Sequence, residues 1–241
     1  MRDQVRAELK SRGASLVGFA DMQVIPAHVR AGLPNAVSIA VSLNPGVIFG
    51  IREGPTKEYW DEYRRANALL AELASFAAGF LTDRGYKARA LVPTIVEYDS
   101  ITQSPVSYNP ETLSTRLPHK TAATRAGLGW IGKCALLITP ECGSALRLTT
   151  VLTDADFRIA APMEESQCGT CIACVEVCPG RAPSGKNWQA GVDRDGFFDA
   201  FACRTAAHQL AKTRVGIEET ICGICINVCP WTQKYLRRGG A

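Results

Sequence analysis

The sequence predicts an α+β protein in two parts: an α+β domain over residues 1–158 and a small cysteine-rich domain over 159–241. Three observations carry this. Helical and β-like periods alternate through the first part. One long apolar stripe at helical spacing covers 57–84. Eight of the ten cysteines fall between 168 and 229. At 241 residues, 46% hydrophobic and 21% charged, the chain has the balance of a globular protein with a real core. No apolar run approaches the ~18–20 residues that cross a bilayer. The first residues, Met1 to Glu8, lack the apolar region of a signal peptide. The expectation is a cytoplasmic protein with no membrane partner.

Residues 2–12 read as a helix stopped by Gly13. Ser15–Ala20 and Ala36–Leu43 are short β-like runs between turn residues. The stripe Tyr59, Tyr63, Ala66, Leu70, Leu73, Phe76 and Phe80 recurs every three or four residues with charges opposite, so 57–84 is a helix packed on a core, ended by Gly85 at C′. Lys87–Val96 reads as a strand. The Ser-, Thr- and Pro-rich stretch 99–118 reads as a long loop, and such loops often carry function. A short helix over 119–126, strands at Cys134–Thr139 and Leu146–Leu152, and an amphipathic helix over Phe197–Lys212 complete the pattern.

The cysteine spacing is the sharpest signal. With no signal peptide, and in a reducing compartment, it argues for metal rather than disulfides. Cys168, Cys171, Cys174 and Cys178, followed by Pro179, match the bacterial ferredoxin run, whose fourth cysteine serves the other cluster. Cys222, Cys225 and Cys229, followed by Pro230, form a second run one cysteine short, and Cys203 can complete it. This predicts two [4Fe–4S] clusters: Cys168, Cys171, Cys174 and Cys229 for the first, and Cys178, Cys203, Cys222 and Cys225 for the second. The rival, two zinc sites, has no use for a third cysteine three residues on. Cys134 and Cys142 lie outside both sets. Lys133 could activate the Cys134 thiol, but a small buried hydrophobe at a strand head is the favoured reading. The formal charge of +4 loses its force once two clusters of about −2 each are counted. The charge therefore gives no argument for a nucleic-acid partner.

Gly127, Gly129 and Gly132 spell a dinucleotide-binding pattern, but a helix precedes them and a strand follows, the reverse of the Rossmann order. The string still lets backbone approach a flat or anionic group closely. Trp130 offers an aromatic face, and Lys120 and Lys133 lie beside it in sequence. Gly127, Gly129, Gly132, Trp130, Lys120 and Lys133 are therefore candidate cofactor-binding residues, against the alternative of a tight structural turn. Candidate proton donors are Tyr98, Asp99, Tyr108 and His119. His119 leads because it is close to the string and titrates near neutral pH.

The string Ala126–Lys133, followed by a strand and the eight-cysteine module, resembles epoxyqueuosine reductase, which with the reductive dehalogenases forms a class of cobalamin-dependent iron–sulfur reductases. The likeness covers roughly residues 119–232. It implies a nitroreductase-like mixed sheet in the cofactor domain, a ferredoxin-like double-cluster domain and a corrinoid held between them. Flavin is the weaker cofactor candidate. Two departures stand out. The Asp proposed as that enzyme's proton donor would fall near Leu113–Thr115, where no acid stands. The tRNA-binding C-terminal extension is also missing from this chain. The expectation is a shorter relative: an iron–sulfur oxidoreductase taking electrons from a ferredoxin or flavodoxin and passing them through both clusters to a cofactor or small-molecule substrate. The rival class is an electron carrier, or a reductase for a partner protein, with no further cofactor.

Overall fold

The computed structural model describes residues 1–93 and 109–239. Among them lie helices α1 (Arg2–Ser11), α2 (Pro45–Phe49), α3 (Lys57–Thr82), α4 (His119–Arg125), α5 (Ala173–Glu176), α6 (Ala200–Val215), α7 (Ile224–Val228) and α8 (Pro230–Arg238). The strands are β1 (Leu16–Asp21), β2 (Asn35–Ser42), β3 (Ala88–Ala90), β4 (Trp130–Ile131), β5 (Leu137–Ile138) and β6 (Leu146–Thr153). This is the α+β class. The described residues divide into two compact units.

The first unit comprises residues 1–42, 65–128 and 147–163. Its sheet has the order β1-β2-β6-β3. β1 and β2 pair antiparallel with Leu16 opposite Ala40, and β3 pairs antiparallel with β6. β2 is buried along six consecutive residues, Ala36–Val41, as befits an inner strand rather than an edge. α1 turns Val5 and Leu9 inward, while its Arg2 and Arg6 lie over the Phe19 ring at 5.6 and 5.3 Å. The α3 stripe is buried through Ala66, Leu70 and Leu73 but continues as Ala77 and Leu81. Phe76 and Phe80 lie at its margin instead, half-buried, each covered by a guanidinium: Arg12 at 3.8 Å and Arg84 at 3.5 Å. The helix ends at Thr82, short of the expected 84, and a turn through Gly85 at φ +86 follows. The strand expected over Lys87–Val96 is shorter: it pairs over Ala88–Ala90, and residues beyond Pro93 leave the described range.

The second unit comprises residues 43–64, 129–146 and 164 onward. Segments 43–64 and 129–146 thus fold with the cysteine-rich segment. The reason is visible in buried polar bonds. Asn227 Nδ2 donates to the Ile48 carbonyl at 2.8 Å and to that of Phe49 at 3.3 Å, and Tyr235 Oη donates to Leu43 O at 2.7 Å. Ser144 N donates to Thr232 Oγ1 at 3.1 Å. α6 starts at the Asp199 cap, whose carboxylate accepts from Ala202 N, and stops at Gly216 in the left-handed region. Pro230 occupies the first turn of α8, where its missing N–H costs nothing.

The run Cys134–Thr139, expected as one strand, is half turn. β4 and β5 form a hairpin with Trp130 opposite Ile138 and Ile131 opposite Leu137. Gly132 N donates to Leu136 O, and Ala135 takes φ +57. The apolar alternation conceals this turn, which sets Lys133 and Cys134 at the hairpin tip.

Candidate functional site

That tip forms one wall of a cavity. Cys168, Cys171, Cys174, Cys225 and Cys229 line it together with Lys133, Cys134, Ile138, Pro230 and Trp231. Local structure positions each thiol. Cys171 N bonds to Cys168 O at 3.0 Å, closing a turn through Gly169 at φ +54. Cys174 lies on the single turn of α5. Cys225 lies on α7, and Cys229 is the hinge between α7 and α8. All four cysteines expected for the first cluster thus face one space. Cys225, expected for the second, faces it too.

The remaining cysteines gather separately. Cys203 on α6 feels both Cys178 and Cys222, and burial above all, then those two sulfurs, push its pKa up to about 11. Burial likewise raises Cys222, with Cys178 adding to it. The Cys178 sulfur accepts from Ala182 N at 3.4 Å, the type of backbone bond that tunes cluster sulfurs. Burial also raises Cys229. Cys174 is raised by its hydrogen bond with Cys134 and then by burial. Metal ligation requires thiolates, so iron binding at Cys174, Cys203, Cys222 and Cys229 works against their raised pKa.

The donor set fits a cluster better than a single ion. Zinc draws four ligands to one point at ~2.3 Å. Here five cysteines ring one cavity instead.

Residues 167–232 match the family described as a 4Fe-4S double cluster binding domain. Among curated relatives, the epoxyqueuosine reductase of Synechococcus sp. (strain CC9605) is 35% identical over 133 residues, which is 51% of this chain and 38% of that protein. Over about half of its length this chain is similar to epoxyqueuosine reductases. It spans well under two thirds of the curated relatives it matches. Its fold is shared with an epoxyqueuosine reductase solved with an epoxyqueuosine-modified tRNA stem loop (TM-score 0.60, 19% identity, 96% of this chain and 65% of that one). It is also shared with a reductive dehalogenase whose structure suggests a mechanism for B12-dependent dehalogenation (TM-score 0.67, 18% identity, 98% and 33%).

The other candidates fall as follows. Trp130 is fully buried and meets Trp231 edge-on at 5.1 Å, so its face is spent on packing rather than offered to a ligand. The three glycines of the string each have a neighbour from their own unit. A Cβ on Gly127, which has φ +69, would stand 2.7 Å from Ala161 O; on Gly129, 2.0 Å from Ile138 O; on Gly132, 2.4 Å from Ile138 Cδ1. These gaps are filled by protein, which is the structural-turn alternative. Lys133 is buried, with Nζ donating to Gly169 O at 3.0 Å. Its Cys134 neighbour is buried as well. The bond to Cys174 lowers that thiol's pKa, but the bond to Cys225 together with burial outweighs it, so the thiol is raised rather than activated.

His119 and Lys120 lie on α4 in the first unit. His119 Nε2 donates to Val92 O at 2.9 Å, so Nδ1 of the neutral ring accepts from Thr150 Oγ1 at 3.0 Å. Burial lowers its pKa, against the pull of Val92 O and with help from Arg147. A ring with both nitrogens engaged clamps the chain at Val92. Tyr98, Asp99 and Tyr108 lie outside the described residues. Sequence reasoning missed Trp231 and Ile138 as cavity walls; the Pro230–Trp231 pair after the last cysteine was the available signal.

Proposed function

We propose that this chain is an iron–sulfur reductase that relays electrons from a ferredoxin- or flavodoxin-type donor to an acceptor through two [4Fe–4S] clusters. The observation that carries the reading is the cavity ringed by Cys168, Cys171, Cys174, Cys225 and Cys229, with a second thiol group at Cys178, Cys203 and Cys222. When bound, the clusters would supply sequential one-electron transfer, and their potentials would answer to hydrogen bonds and exposure. The chain's own residues do the rest. Cys168, Cys171, Cys174 and Cys229 would hold the first cluster, and Cys178, Cys203, Cys222 and Cys225 the second. Cys134, bonded to both Cys174 and Cys225, ties the two sets together. Ile138, Pro230 and Trp231 keep water from the first. Ile172 and Val177 are exposed apolar residues, each beside a cysteine, and suit a donor protein's contact surface.

For the acceptor we propose a corrinoid, on the likeness to a dehalogenase described as B12-dependent. A side chain at any of the three glycines of the string would meet Ala161 or Ile138. A modified tRNA, as bound by a relative, is the alternative substrate.

Protein purified without oxygen should be brown and carry about eight irons per chain. Titration with hydroxocobalamin, FMN and tRNA stem loops then reads which absorbance or mobility shift appears. A colourless, folded protein holding two zinc ions would refute the reductase reading. Full iron with no response to any of the three would favour the electron carrier.

A further inference from the structure

Lys133 is only 4% exposed, an unusual place for an ammonium group. Its three N–H bonds meet one described acceptor, Gly169 O at 3.0 Å, and among the described residues no carboxylate comes within ion-pair distance. A buried charge without a counter-charge is strongly destabilising. The same residue lines the cysteine cavity, and its ammonium is close enough to act electrostatically on Cys174. The missing negative charge is therefore one that the cavity itself must hold.

We infer that Lys133 is the internal counter-cation of the first cluster and sets its reduction potential. The inference rests on the double-cluster reading. Four thiolates around a cubane at its resting level carry about −2, and one further electron makes about −3. A fixed positive charge at the wall stabilises the reduced form more than the oxidised one, so it raises the potential. The effect is larger on the nearer cluster, because of the second set only Cys225 lines the cavity, while Cys178, Cys203 and Cys222 do not.

The test is Lys133→Met, which keeps the stem and removes the charge. Gly169 O keeps a second partner in Asn187 Nδ2 at 3.2 Å, so the cysteine turn retains a tether. Each variant is titrated anaerobically with dithionite or titanium(III) as the one-electron donor and followed by EPR. In Lys133→Met the reduced-to-oxidised ratio of one cluster should fall at least tenfold at fixed potential, which is 59 mV for one electron. The other cluster should shift less, and Lys133→Arg should titrate like the unmodified protein. If Lys133→Met loads poorly, Lys133→Gln takes its place. Clusters that titrate alike in all variants would overturn the inference and leave Lys133 a tether. Equal shifts in the Met and Arg variants would overturn it too, by showing shape rather than charge at work. Unmodified protein without iron would instead strike the double-cluster reading itself.

Discussion

Replacing Gly129 by alanine tests the explanation of the glycine string directly. The added Cβ would stand 2.0 Å from the Ile138 carbonyl oxygen, and side-chain carbons do not approach closer than about 3.0 Å, so the oxygen must retreat by about 1 Å. The obstacle is backbone, so no rotamer relieves it. The retreat pulls β5 from β4, whose ladder is only two residues long. Overpacking costs about 1–3 kcal/mol, and a buried backbone group left unpaired costs a further ~1–3 kcal/mol. Some 3 kcal/mol in total lowers the melting temperature by roughly 6–12 °C for a chain of this size. Gly132→Ala makes the contrast: its Cβ would meet Ile138 Cδ1 at 2.4 Å, the free end of a side chain that can turn away. It should lose about 1 kcal/mol, or roughly 2–4 °C. Thermal unfolding by circular dichroism, at matched iron content, reads both. Ile138 also lines the cysteine cavity, so Gly129→Ala should bind less iron. A Gly129→Ala protein that melts within about 2 °C of the unmodified one, or above Gly132→Ala, would refute the close-approach argument and return the string to ligand binding.

Cys203→Ser should bring iron from about eight toward about four per chain and remove one EPR signal; two intact clusters with unchanged spectra would show the assignment wrong. The iron-free protein should lose stability as pH rises from about 9 to about 11. The folded state raises the Cys203 pKa to about 11, so the stability that its neutral thiol contributes is complete below the unfolded value and lost above. The loss amounts to about 2–3 kcal/mol, and urea unfolding across that range should not find it in loaded protein, where no thiol proton remains. Asn227→Ala strips the donor from the Ile48 and Phe49 carbonyls; about 1–3 kcal/mol should be lost, read as a drop of roughly 2–12 °C in melting temperature.

The three-residue cysteine spacing was legible without coordinates because Cys168, Cys171 and Cys174, which line one cavity, sit within one short stretch of chain. The α3 stripe was legible through Leu73 for the same local reason. It failed at Phe76 and Phe80, where arginine faces satisfy the rings without burial. The strand expected over Cys134–Thr139 failed because the turn starts at Gly132, ahead of that run, and its positive φ falls on Ala135, a residue type that does not mark a turn. His119 looked free to move a proton, and only its two bonds, to Val92 and Thr150, show the ring engaged on both sides.

By itself the sequence determined that this is an α+β chain with the cysteine spacing of a 4Fe-4S double cluster domain, because helix period, strand alternation and cysteine spacing are all written within a few residues. What only the tertiary structure decided is which distant residues complete the site. Cys229 closes a cavity begun at Cys168, and Lys133 and Cys134 reach it from a hairpin tip more than 30 residues earlier. Chain closure over such distances depends on packing that no local pattern encodes.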